Sequence, residues 1–456
     1  MVLRTALVWQ QNGMAKYHYA PISNYDTPYD RDPFTDKFSY DGNDYYLSFG
    51  PMMFYLPYAF MQLSGLAISN LNVQIFNLLW FLLTLICLSR LLRLLAAQYH
   101  ISTPKSGDKF IKIALLGYAF SPAILWFQGN SFCHEIAVLP FLLTTIYYFA
   151  RFWTTNNLKK YELFLVAINS FLMIYSDWIG VLVLAWISVF CSYNFFITNQ
   201  KRFLYFIIAA VSIAAFSIGF IVWQYSLVGG FAAYCRGMQT RVATRSGFEF
   251  MFLINIIKNY MIAYLPLLLA IFIGIVLLQY KKIKLNQAAF FNPIIVLSIL
   301  IILSHHFLLL EFTQRHDYSA VKSGWLIAYF FACIYYELQP LLPKKAYFLL
   351  VFIVFGGVLQ YYYINRPGAY NQNDDAYAAM QEVGASIAEQ SRGEEFVFVS
   401  DSDFDTPQVQ FYARRTPHFV ATIDSCRSFL QRAHLPKGVF FDIKNQKIIA
   451  VTHIEN

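Results

Sequence analysis

The sequence predicts a polytopic α-helical membrane protein of about ten spans with a small C-terminal extramembrane α/β domain. Three observations predict it. Of 456 residues, 58% are hydrophobic, 19% aromatic and only 13% charged, with a mean hydropathy of +0.45, whereas soluble domains average about 25% charged residues. Apolar runs long enough to cross a bilayer recur along residues 71–364, and the last 92 residues switch to short alternating helix and strand patterns. The same figures exclude disorder and a disulfide scaffold. The formal charge of +8 reads as basic cytoplasmic loops, not as a nucleic-acid surface. The six cysteines form no CxxC pair and mostly lie in or beside apolar runs, so they read as small buried hydrophobes.

Residues 1–70 form the first unit, an external loop. Within it, segment 49–67 carries Pro51 and Pro57 and reads as a kinked helix lying in the interface. The spans expected next are 71–96, 111–127, 135–153, 161–176, 179–197, 203–224, 259–280, 292–310, 323–338 and 347–364. With these spans, basic residues fall in phase on one side: Arg90, Arg93, Lys105, Lys109 and Lys112; Arg151, Lys159 and Lys160; Lys201 and Arg202; Lys281, Lys282 and Lys284; Lys344 and Lys345. By the positive-inside rule that side is cytoplasmic. The loop 1–70, the junctions near 128–134 and 176–178, the loops 225–258 and 311–322, and the domain 365–456 then share the opposite compartment. In a bacterial inner membrane this is the periplasmic face. The tail is expected as helices 375–390, 406–413 and 424–433 with strands 395–400, 418–422, 438–443 and 447–452.

Polar residues on that face form three groups. Six aspartates (Asp26, Asp30, Asp32, Asp36, Asp41 and Asp44) interleave with tyrosines in the first loop. Acids beside aromatic rings suit a sugar site, and a solvated acidic loop would look the same. Glu135 after His134, Asp177 in YSDWIG, and His316 with Asp317 in RHDYS sit at helix ends, where ionisable groups either act or merely reach for water. Arg236, Arg241 and Arg245 run against the charge trend. Arginine grips phosphate with a planar fork, although contact with lipid headgroups alone would also hold it there. His305 and His306 lie in an apolar run and read as core residues. No Walker, GxGxxG, HExxH or GxSxG pattern fits its required context.

Several of these motifs resemble one family. The stretch YYLSFGPMMFYLPYAFMQLSGL followed directly by LNVQIFNLLWFLLTLICLSRLLRLL, the junction SDWIG at 176–180, HDYS at 316–319 and PQVQFYARR at 407–415 are similar to the GT-C glycosyltransferases. The likeness is strongest to bacterial relatives of protein mannosyltransferases and to the Rgt-type and aminoarabinose lipid A transferases. Ser48-Phe49-Gly50-Pro51 replaces the family's His-Pro-Pro core. The opening MVLRTALVWQQNG resembles the helix that follows the family's first acidic motif, so a further span upstream, eleven in all, and a cytoplasmic N-terminus are expected.

The resemblance implies transfer of a sugar from a polyprenyl-phosphate donor to a glycan, lipid or protein acceptor among membrane lipids at the external face. It places Glu135 at the acceptor or at a divalent metal ion, the one cofactor it admits, with Asp41 and Asp44 as further catalytic acids. Arg241 and Arg245 would hold the lipid phosphate, and His316, Asp317 and Asp177 would line the substrate pocket. The competing reading is a lipid or glycan transporter or flippase. That reading is disfavoured because the spans are largely uncharged and no inverted repeat is visible.

Overall fold

The structure, a computed structural model, describes residues 1–25, 28–30, 38–41, 43–98, 104–155, 159–283, 290–369 and 374–455. Asp26, Asp32, Asp36 and Lys284 lie outside these described residues.

Among the described residues, six helices are long and apolar enough to cross a membrane: Asn70–Gln98, His134–Thr155, Ile179–Thr198, Lys201–Ser226, Phe250–Tyr280 and Pro343–Arg366. A seventh crossing is available if Gly107–Ala119 and Pro122–Asn130, which meet at 70°, count as one broken span. Chain chemistry accounts for the break. Pro122 cannot donate into the helix, and Ser121 before it takes extended angles (φ −71, ψ 141). The Phe120 carbonyl at this bend lies against Gly357, where a Cβ would collide with it.

The other three expected spans are also helical, but short. Lys160–Ile174 and Gly324–Leu338 have 15 residues each and Pro293–Leu308 has 16. At 1.5 Å per residue these rise only about 22–24 Å against a hydrocarbon core of about 30 Å. Six or seven of the ten expected spans thus reach crossing length among the described residues, and the other three are present as shorter apolar or partly apolar helices. The apolar windows had absorbed residues that belong to turns: Leu309 breaks the helix with φ −121, ψ 46, and Asp317–Ser323 form a 3₁₀ turn. Large apolar side chains face outward on these helices, as with Tyr205, Ile208, Val211, Phe216 and Trp223 on Lys201–Ser226, as befits a lipid solvent.

Described parts of the first seventy residues pack against the helices. Helix Val2–Asn12 buries Trp9 against Tyr55 and Tyr58 of the helix Met52–Ser64, which contains Pro57. Strands β1 (Phe38–Tyr40) and β2 (Asn43–Tyr45) make an antiparallel hairpin.

Residues 374–455 build a mixed sheet from β3 (Phe396–Val399), β4 (His418–Phe419), β5 (Lys437–Lys444) and β6 (Lys447–Glu455), in the order β4-β3-β5-β6. β3 runs parallel to β4 and β5, and β6 closes antiparallel on β5. Alternation along the strands feeds two cores. Val397, Val399, Val439 and Phe441 meet Val383 and Ile387 of helix Asp374–Gln390, while Phe396, Phe398 and Phe440 meet Cys426 and Leu430 of helix Ile423–Arg432. This sheet is tied to the first segment. Asp30 accepts from Arg415 Nε at 3.0 Å and from the Thr416 amide at 2.9 Å, and the Tyr25 hydroxyl donates to the Gln410 carbonyl at 2.9 Å.

Candidate functional site

Four helix ends meet beneath the loop Ser48–Pro51. The loop is held at several points. The Trp178 indole donates to the Ser48 carbonyl at 2.9 Å, and the Tyr225 hydroxyl donates to the Phe49 carbonyl at 2.6 Å. Gly50 lies so close to the Tyr175 carbonyl that any Cβ there would overlap it. The Phe49 ring thereby lies flat on the His134 imidazole, with centroids 3.7 Å apart and planes at 18°.

Under Phe49 is a fully buried ionic cluster. His134 and Glu135 open helix His134–Thr155. Asp177 precedes helix Ile179–Thr198 and caps it, its Oδ1 accepting from the Ile179 amide at 2.8 Å. His305 belongs to the last turn of Pro293–Leu308, and Lys322 to the turn before Gly324–Leu338. Lys322, 1% exposed, brings its Nζ to 2.8 Å from Asp177 Oδ2, into ion-pair contact with Glu135 Oε2, and to 3.1 Å from His305 Nε2. Burial alone drives the Lys322 ammonium and the Asp177 carboxyl towards their neutral forms. The opposite charges at contact distance resist this. Glu135 Oε1 and His134 Nε2, 3.4 Å apart, make no hydrogen bond among the described residues.

Above Phe49 lies the arginine pair. Arg241 ends helix Phe231–Ala243 and donates to the Ser48 hydroxyl at 2.6 Å; Arg245 reaches the same oxygen at 3.3 Å. The Arg245 guanidinium also covers Phe49 and Phe312 at 5.3 and 5.1 Å from their centroids. Each arginine spends one of five N–H donors on Ser48, so both keep donors for an anion. His316 stacks on Tyr318, whose ring meets His134 edge-on. Burial first, then the charges of Arg245 and Arg315, hold the His316 imidazole below its ordinary value, and burial raises the neighbouring Asp317 carboxyl.

The structure thus gathers Glu135, Asp177, Arg241, Arg245 and His316 around Ser48–Phe49, with Asp317 next to His316. Asp41 and Asp44 sit apart from the cluster. Asp41 is exposed at the hairpin turn with φ 48, and Asp44 is buried in β2, its carboxylate accepting from Ser39 and its amide donating to Asn24. Arg236 is exposed. Sequence reasoning missed Lys322 and passed over His305 as a core residue. Lys322 carried no local signal, since Arg315 stands in the same expected loop and the partners of Lys322 are distant in sequence.

A metal ion is the cofactor to test against this geometry. His134, Glu135 and Asp177 offer ligand atoms within 4.8 Å of one another, a nitrogen and oxygen set that a divalent ion accepts. Lys322 Nζ stands against two of the three, so the set does not fit an ion while the ammonium is there.

Solved structures share this architecture. AglB, the archaeal oligosaccharyltransferase from Archaeoglobus fulgidus, in complex with an inhibitory peptide and a dolichol-phosphate, aligns with a TM-score of 0.55 at 13% identity over 96% of this chain and 65% of its own. ArnT from Cupriavidus metallidurans bound to undecaprenyl phosphate gives 0.55 at 10% identity, over 87% of this chain and 83% of its own. The likeness to these two transferases is one of fold. The chain, which has helices long and apolar enough to cross a membrane, spans 65% of the length of the oligosaccharyltransferase it matches. No family model matches it, and no curated sequence does.

Proposed function

We propose that the protein transfers a sugar from a polyprenyl-phosphate-linked donor to a hydroxyl of a cell-envelope glycan, lipid or protein at the external membrane face. The observation that carries this reading is the stack at Phe49, with an arginine pair on one side and a buried carboxylate with an unpartnered oxygen on the other. The solved GT-C structures with bound dolichol-phosphate and undecaprenyl phosphate support the donor class.

Glu135 Oε1 accepts the proton of the acceptor hydroxyl, whose oxygen attacks the anomeric carbon as the bond to phosphate breaks. The departing polyprenyl phosphate takes the bonding electron pair, and Arg241 and Arg245 hold the charge that develops on it. Asp177 positions the cluster, while His316 and Asp317 border the donor side. The proposed sidedness rests on the alternation of basic loops.

Release of polyprenyl phosphate from a labelled polyprenyl-phosphate sugar reads the reaction whatever the acceptor is. Membranes containing the protein should release it. Glu135→Gln, nearly isosteric, should lower the rate roughly 10²–10⁴-fold at unchanged protein level. A rate close to wild type in that variant removes Glu135 from the chemistry.

A further inference from the structure

We propose that Lys322 is a permanent internal cation occupying the position that a divalent metal ion would take between Glu135 and Asp177. Its catalytic meaning rests on the glycosyltransferase reading above, but the charge arrangement itself does not.

Three features support it. The first is placement. Lys322 Nζ stands between two carboxylates, in ion-pair contact with Glu135 Oε2 and 2.8 Å from Asp177 Oδ2, and hydrogen-bonds His305 Nε2 at 3.1 Å. In that contact the imidazole offers its unprotonated nitrogen, so His305 acts as a neutral acceptor and adds no charge. The second is exclusion. Metal bonds to oxygen and nitrogen are about 2.0–2.2 Å long, so an ion bridging Glu135 and Asp177 would have to sit where the nitrogen is. The third is burial, which leaves no water to compensate the acids. With Glu135 and Asp177 both 0% exposed, a carboxylate pair needs a cation that is always present.

Lys322 is therefore a positioning residue. It engages Glu135 Oε2 and leaves Oε1 without a hydrogen bond among the described residues. A resident metal could be stripped or exchanged, but this charge is covalently part of the chain. Transfer should persist under chelation.

Manganese binding tests the arrangement without relying on transfer. The purified, detergent-solubilised protein is freed of metal with a chelator, dialysed and titrated with Mn²⁺, with free ion followed by electron paramagnetic resonance and bound ion by elemental analysis. Wild type and Glu135→Gln should give coincident curves with no stoichiometric site. Lys322→Met, which removes the ammonium while keeping much of the side-chain volume, should gain one Mn²⁺ per chain, and adding Glu135→Gln should abolish it. Lys322→Arg should bind none. One Mn²⁺ per wild-type chain that Glu135→Gln removes overturns the proposal, as does a folded Lys322→Met protein that takes up none. If Lys322→Met does not fold, the comparison of wild type with Glu135→Gln decides alone. Absence of sugar transfer under every condition would defeat the glycosyltransferase reading and leave the manganese result standing.

Discussion

Arg241 and Arg245 converge on a single hydroxyl, Ser48 Oγ, from successive turns of one segment. Ser48 is thereby a hinge pin for two guanidinium groups. Arg241→Ala and Arg245→Ala should each raise the donor KM, since a charge-assisted contact is worth about 1.5–3 kcal/mol and 1.4 kcal/mol is about tenfold. Steady-state kinetics on membranes matched for protein level would check this, and unchanged KM in both variants would leave the pair in contact with headgroups only. His316 sets a pH dependence. Its imidazole is held below its ordinary value of about 6.5, so the folded protein favours the neutral ring. That contribution is fully present above about pH 6.5 and is lost as pH falls through the lowered folded value. The melting temperature should therefore decline on acidification, and His316→Gln should flatten the decline; identical slopes would contradict it. Glu135, Asp177, Arg241 and Arg245 were legible in the sequence because ionisable residues at apolar helix ends are rare enough to notice. Lys322 was not, because a single lysine beside an apolar run looks like a snorkelling residue until its partners, distant in sequence, are known.

Helix ends build the site, and one glycine sets how closely two of the elements approach. Gly50 lets the loop before Met52–Ser64 rest on the turn at Tyr175, with the Met52 amide 3.4 Å from the Tyr175 carbonyl. Gly50→Ala should cost about 1–3 kcal/mol through overpacking. It should also displace Ser48 and Phe49, and so lower transfer more than stability alone explains. A thermal melt paired with a rate measurement tests it, and wild-type values in both would show that the loop can shift freely. The helical character of each expected span was legible from hydropathy, whereas helix Phe231–Ala243 falls in the expected loop 225–258. Helix length was not, because apolar turn residues such as Leu309 and Tyr175 count towards a span in the sequence. The short helices have a geometric use: where Lys160–Ile174, Pro293–Leu308 and Gly324–Leu338 stop, Asp177, His305 and Lys322 can meet.

At the scale of the whole molecule, a buried ion pair joins the two ends of the chain. Asp30 and Arg415 are 385 positions apart, and Arg415 also donates to the Arg392 carbonyl at 2.7 Å and to that of Glu395. From sequence, Asp30 was one acid in an acidic loop and Arg415 one base in PQVQFYARR; pairing at such separation leaves no local trace. Asp30→Ala leaves a buried guanidinium without its carboxylate, a loss of about 3–5 kcal/mol. It should loosen residues 374–455 from the helices. Limited trypsin digestion should then cut faster near Arg366 while the helical part stays intact, and an unchanged rate would mean that other contacts suffice. The ionic cluster has a consequence for biosynthesis. Chains emerge N-terminus first, so Glu135 and Asp177 enter the bilayer region well before Lys322 is translated. Until then both acids lack the cation that lies between them in the folded protein. Only the arrival of the lysine supplies a cation between them, so the cluster is completed after most of the protein has been made.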